Sequence, residues 1–377
     1  MTVHPSPSPS PSQTSVSDPP TIAPPVPLQV HEGMASWQAL RARRWYAVMG
    51  LMMLLTCGAI VFCLQFGAHT LTMAEMWSAL TFSTAGREDV ARVIIWDIRF
   101  PRILMGLFVG AALAITGAAL QALVRNPLAD PYVLGISSGA ALGATIGLAL
   151  GLGGIVGGLG LPLCAFIGGG LSIVLVYGIA ASQGQLPMHQ LLLAGVIVNA
   201  VFSALMMFAT SILNPASLYR VVLWLMGTLS APSIQALIGI GACLLIAIVL
   251  LLRESQALNL LAVGEDAARS LGVDSDRVQR TVFLVSAVLT GAVVSVSGMI
   301  GFVGMVVPHL VRILCGADHR LLLPVSALGG GILLMVADTV ARTVVAPAEI
   351  PVGVITALIG GPFFIYLLMT RKYRFFA

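Results

Sequence analysis

The chain has 377 residues, 58% of them hydrophobic and only 9% charged, with a net charge of +4. A water-soluble fold has no use for that much apolar surface, and a small charge excess spread along the chain does not point to nucleic acid. Apolar runs of about 18 or more residues recur throughout, so the sequence reads as a polytopic, all-α membrane protein, with 40 glycines that let helix backbones approach closely.

The first 40 residues stand apart. The stretch HPSPSPSPSQTSVSDPPTIAPPVP is Pro/Ser-rich and has almost nothing to bury, so 1–40 reads as a disordered tail. No apolar region ahead of a cleavage site makes it a signal peptide. The membrane domain is expected over 41–377.

The predicted spans are 45–66, 102–124, 133–153, 157–181, 189–211, 232–252, 281–298, 303–316, 322–346 and 351–370. The stretch SGMIGFVG (297–304) reads as a break between the seventh and eighth spans or as a kink inside one. Flanking charges arbitrate. Arg41, Arg43 and Arg44 precede the first span, and Arg371, Lys372 and Arg374 follow the last. With both ends cytoplasmic, the number of spans is even, which favours ten over nine.

This topology places 124–131, 183–189, 253–280 and 315–320 in the cytoplasm and 67–101, 212–231 and 345–351 outside. The outer segment 67–101 carries Arg87, Arg92 and Arg99, partly offset by Glu88, Asp89 and Asp97. Positive charge tolerated there suggests an acidic partner. GAALAITG (110–117) resembles GAVVSVSG (291–298), and LLAGVIVNA (192–200) resembles IPVGVITAL (350–358). Spans five apart run in opposite directions, so the halves are expected to be inverted repeats, as in many transporters.

Catalytic chemistry is missing. The only lysine is Lys372, so no GxxxxGK[ST] phosphate loop exists and any energy from ATP comes from another chain. The cysteines, Cys57, Cys63, Cys164, Cys243 and Cys315, lack metal-ligand spacing. No nucleophile–base constellation is visible, and no cofactor is implied. The clearest intramembrane charges, Asp338 and Arg342, are four residues apart on one helix face and are expected to pair.

Several stretches, in order along the chain, resemble the FecCD family of ABC importer permeases. They are RFPRILMGLFVGAALAITGAALQALVRNPLADPYVLGISSGAALGA (99–144), LLLAG (191–195), LAVGEDAARSLGV (261–273), GFVGMVVPHLVRILCGADHRLLLP (301–324) and ADTVARTVVAPAEIPVGVITALIGGPFFIYLL (337–368). The resemblance implies a homodimer of ten-helix subunits in the cytoplasmic (inner) membrane. It implies two cytoplasmic ATPase subunits below and a soluble periplasmic (or lipoprotein) substrate-binding protein outside. The expected cargo is a metal chelate, ferric siderophore first, then cobalamin, then haem. The chain itself would be no enzyme. The rival readings are an ion-coupled secondary transporter, which would need Asp338 for coupling, and a non-transporting membrane scaffold or enzyme.

The resemblance also assigns sites. The segment 258–280 would be the coupling region, with Gly264, Glu265, Asp266, Ala267, Ala268, Arg269, Ser270, Leu271 and Gly272 docking on the ATPase. The local physics agrees. Gly264 and Gly272 bracket a short helix, Glu265 and Asp266 suit its N-terminus, and Arg269 can pair with Glu265. Ala267, Ala268 and Leu271 offer a small apolar face, and Asp274–Arg280 is expected as a second short helix. Asn126, Leu128, Met188 and His189 align with an inner gate. Arg99, Arg102 and Arg342 align with residues that meet acidic groups of the binding protein. NPASLYRVVLWLMGTLS (214–230) is expected as a short helix near the outer mouth, where Tyr219, Arg220 and Trp224 could touch substrate or pack.

Overall fold

The structure is a computed structural model describing residues 29–67, 71–81, 90–152, 158–181, 187–229 and 233–371. The chain divides into two units, 1–45 and 46–377, and the helical bundle is the second. Of the expected tail, 1–28 lies outside the described residues, and 29–40 is helical. The helix starts beyond Pro27, the last tail proline, where every residue again has a backbone N–H to donate.

Every described element is helical. In chain order they are α1 (Gln29–Gln65), α2 (Met73–Thr81) and α3 (Val90–Val93), then a π-helical turn (Ile94–Arg99) leading into α4 (Phe100–Val124). A 3-10 turn (Pro131–Leu134) precedes α5 (Ile136–Ala149), α6 (Gly160–Ala180), α7 (Met188–Ser211), α8 (Pro215–Leu225) and α9 (Ile234–Arg253). Then come α10 (Ser255–Val263), α11 (Glu265–Ser270), α12 (Ser275–Ser297), α13 (Val303–Cys315), α14 (His319–Thr343) and α15 (Val352–Arg371).

Among the described residues seven helices are long and apolar enough to cross a membrane. Three shorter apolar helices, Ile136–Ala149, Val303–Cys315 and Val352–Leu367, fall on the third, eighth and tenth predicted spans. SGMIGFVG is a break: α12 ends at Ser297 and α13 starts at Val303. Two expectations need correction. Residues 90–101, expected within an outer loop, are helical and continuous with α4. Pro101 cannot donate to the preceding turn, and it falls where the wider π turn gives way to α helix. The second short helix expected at 274–280 is the beginning of α12, capped by Asp274, whose carboxylate accepts the Arg277 N–H at 3.1 Å.

The central helix is α4, buried almost without interruption from Arg102 to Leu123. Glycine sets how closely it is packed. A Cβ built on Gly110 would lie 2.1 Å from the Gly330 carbonyl oxygen of α14, and one on Gly117 would lie 1.8 Å from the Gly304 carbonyl oxygen of α13. α5 and α6 cross in the same way, with Gly139 against Gly168 and Gly143 against Cys164. Without a hydrophobic drive between helices in lipid, such backbone-to-backbone contact supplies dispersion attraction that larger residues would prevent. By contrast α6, α7 and α9 leave large apolar side chains exposed, Ile167, Phe208 and Leu245 among them.

Among the described residues, irregular backbone reaches into the bundle at 125–135, 226–229 and 298–302, where its polar groups need partners inside the protein. Ser172 Oγ donates to the Gly135 carbonyl at 2.7 Å, and Thr228 N–H donates to the Ser297 carbonyl at 2.8 Å.

Candidate functional site

The charged segment in the middle of the chain folds as expected at its centre. Gly272, at φ +84°, takes the left-handed conformation that ends a helix. Arg269 pairs with Glu265 at 2.8 Å and reaches Asp276 of α12 at 3.5 Å, which ties α11 to the first turn of the next span. Ala268 is fully buried within the subunit itself, so it cannot belong to an exposed docking face. The large apolar side chains that α10, α11 and the turn after them present are Val263, 80% exposed, and Leu271, 67% exposed. Glu265 is half-buried, and Asp266, Ala267, Arg269 and Ser270 are exposed.

A cavity of about 470 Å³ lies beside this segment, lined by Arg125, Met188, His189, Glu265, Arg269, Asp276 and Gln279, among others. Two of the expected gate residues, Met188 and His189, thus share a cavity with α11. The other two lie elsewhere. Asn126 lines a second cavity of about 580 Å³ with Gln121, Asn259, Arg312 and His319, and Leu128 is exposed at the tip of the same loop. The side-chain oxygen of Asn126 accepts the Leu128 N–H at 2.9 Å, an Asx turn that shapes the tip. Arg125 walls both cavities, at φ +53° and ψ +35°. Sequence reasoning missed Arg125 as the common wall. The loop 182–186, just before Met188, lies outside the described residues.

Further along the loop after α4, Asp130 is 8% exposed and caps the 3-10 turn by accepting the Tyr132 N–H at 2.9 Å. Burial raises its carboxyl from 3.8 to about 6, against the lowering effect of that bond. An acid raised in the folded state binds its proton more tightly there than in the unfolded chain. Stability from it is therefore complete below about 3.8 and is lost as pH rises through about 6, a fall of about 3 kcal/mol. Asp130→Asn should abolish this fall while keeping the cap. Melting in detergent at pH 4.5 and 7 checks it: the difference shrinks in the variant, and an unchanged difference would refute the assignment.

At the opposite end of α4 the three arginines expected to face a partner are all buried, at 2% for Arg99, 6% for Arg102 and 5% for Arg342. Arg99 donates to the carbonyls of Leu64 and Gln65 at the end of α1. Arg102 grips Asp338 with Nε and Nη2, both at 2.9 Å, and Glu349 with Nη1 at 2.9 Å. Arg342 Nε lies 3.1 Å from Asp338, and its Nη2 donates to Thr339 at 3.2 Å. The expected Asp338–Arg342 pair is present, but it is one limb of a cluster linking α4, α14 and the loop before α15. Arg102 and Glu349 were not legible as its members, since nothing in the sequence brings together residues more than 230 positions apart. In α8, Asn214 caps the helix through the Ser217 N–H at 2.8 Å. Trp224 is buried as packing, while Tyr219 is 64% exposed.

A bundle of apolar helices with irregular segments packed inside it and a charged helix pair at one end defines a multi-pass membrane protein. Its family follows from comparison. The sequence model of the FecCD transport family matches residues 53–370. The chain is 44% identical over 304 residues to the cobalamin import system permease protein BtuC of Halobacterium salinarum, covering 79% of this chain and 80% of that one. It is 40% identical to the hemin transport system permease protein HmuU of Yersinia pestis (86% and 96% covered) and 34% identical to the iron-uptake system permease protein FeuC of Bacillus subtilis (82% and 94%). A solved metal-chelate-type ABC transporter in an inward-facing conformation superposes with a TM-score of 0.75 at 33% identity, covering 86% of this chain and 99% of that one. The chain belongs to the FecCD transport family.

Proposed function

We propose that the chain is the permease subunit of an ATP-driven importer for a metal chelate of the cobalamin, haem or ferric-siderophore class. It would work as a homodimer in the cytoplasmic membrane, with both termini inside. The relatives are named for cobalamin import, hemin transport and iron uptake, each involving a metal. The observation that carries the reading is the α10–α11 pair. It exposes Val263 and Leu271, is clamped to α12 through Arg269 and Asp276, and shares a cavity with Met188 and His189. A two-turn helix is marginal alone in water. Apolar side chains held out on a braced one suit a protein partner that pushes on it. With no phosphate loop in this chain, that partner is a separate ATPase.

At the other end, a periplasmic binding protein would meet the arginine cluster. Because Arg102 and Arg342 are already bonded within the subunit, an acidic group of the binding protein would have to compete with Asp338 and with Glu349, whose side chain is 46% exposed, for the guanidinium groups.

The test is retention of an ATPase by the permease purified from mild detergent, wild type against Val263→Asp/Leu271→Asp. Both positions are exposed, so the subunit should stay folded while the partner is lost. Ala268→Trp is unsuitable, since it would disrupt this chain's own core. Wild type that purifies intact without any ATPase would count against the proposal, and ion-driven uptake would then be assayed.

A further inference from the structure

Two of the irregular segments inside the bundle, 125–135 and 298–302, are joined by one side chain. Tyr132, in the 3-10 turn after α4, donates its hydroxyl proton to the Ile300 carbonyl at 2.7 Å and accepts the Ile300 N–H at 2.9 Å. Ile300 lies in the break between α12 and α13, 168 residues away. Both peptide groups of Ile300 are thus satisfied by a single phenol.

Left-handed backbone occurs in both segments. Among the described residues only two non-glycines have positive φ: Arg125, where the α4 loop begins, and Phe302, two residues after Ile300. A left-handed backbone costs free energy in a residue with a Cβ, and such conformations persist where neighbouring structure holds them. Packing holds both segments too. A Cβ on Gly304 would lie 3.0 Å from the Pro131 ring, and one on Gly360 would lie 2.4 Å from the Phe302 side chain. The N-terminal turn of α12 is clamped to α11 by the Arg269–Asp276 pair, and its other end, Ser297, leads directly into the break. A continuous route therefore runs from α11 along α12 to Ile300, and through Tyr132 into the loop that carries Asn126 and Leu128.

We propose that Tyr132 is a positioning residue that latches the inner loop (125–135) to the break (298–302), so that displacement of α11 reaches the gate loop through α12. This rests on the proposed function, in which an ATPase acts on α11. The Tyr132–Ile300 pair is what a stroke of α11 must carry or release.

The experiment uses the permease–ATPase complex in detergent, with its five native cysteines replaced and Leu128→Cys as reporter. Maleimide labelling is compared without nucleotide and after trapping with ATP and vanadate. The expected result is at least a fivefold difference in labelling rate between the two states with Tyr132 present. In Tyr132→Phe the difference vanishes, while the ATPase stays bound and its hydrolysis rate stays within twofold. If Tyr132→Phe does not accumulate, para-aminophenylalanine at 132, which keeps a donor for the Ile300 carbonyl, should retain the nucleotide-dependent difference. Undiminished nucleotide dependence in Tyr132→Phe overturns the latch, as does a reporter that never responds to nucleotide. So does a proportional loss of hydrolysis and labelling response, the mark of a merely structural residue. Wild type that holds no ATPase sinks the underlying transport reading instead, and the latch with it.

Discussion

Asp338→Ala is expected to be the most damaging single change among the buried charges, at a cost of about 3–5 kcal/mol. The carboxylate is 2% exposed and serves both Arg102, through two bonds at 2.9 Å, and Arg342 at 3.1 Å. Removing it leaves Arg102 with the half-exposed Glu349 alone and Arg342 with a threonine hydroxyl. Neither repays the desolvation of a guanidinium inside the bundle. The cost should show as a large drop in the temperature at which the detergent-purified subunit loses its monodisperse peak. An internal contrast separates pairing from packing. Arg102→Met/Asp338→Leu/Arg342→Met removes the charges together and should recover much of the loss, because apolar replacements of similar volume need no partner. If the triple variant is no more stable than Asp338→Ala, the cluster's shape rather than its charge holds the three elements.

Gly330→Val should be nearly as severe, for an opposite reason. A Cβ at 330 would lie 2.2 Å from the Gly110 carbonyl oxygen and 2.5 Å from the Ala114 Cβ. The first is backbone and cannot rotate away, so α4 and α14 must separate along their crossing. Overpacking usually costs about 1–3 kcal/mol, and a clash with backbone belongs at or above the top of that range. Gly170→Val is the control, since a Cβ there meets nothing within 4 Å. Comparable losses in the two variants would show that the valine's effect on the helix itself, not the crossing, dominates.

Much of the architecture could be read in advance because hydropathy over some twenty residues is a strong signal and lipid permits few alternatives to the helix. The break at 298–302 was ambiguous because SGMIGFVG has the composition of either a kink or a loop, and the choice depends on what satisfies its backbone. Its partners, Thr228 and Tyr132, come from distant parts of the chain. The short helix at Glu265–Ser270 was legible from its flanking glycines and its Glu265–Arg269 spacing. Which of its alanines faces inward was not, because Ala267 and Ala268 are chemically identical and only the packing beneath α11 distinguishes them. The arginines show the same limit. Arg102 at the mouth of a span reads as an interfacial anchor or a docking group until Asp338 and Glu349 are placed beside it.

The crossing of α4 on α14 also bears on how such a subunit can change shape. Where two helices meet through long side chains, rotamer changes let them slide a little at small cost, in the manner of shear motion. At Gly110 and Gly330 there are no rotamers to change, and a Cβ on either would meet the other's carbonyl oxygen at 2.1–2.2 Å. The two helices therefore behave as one stiff plank. A transport cycle must hinge around that plank, at the loops and the break, and slow amide hydrogen exchange should mark α4 and α14 together as the part that does not deform.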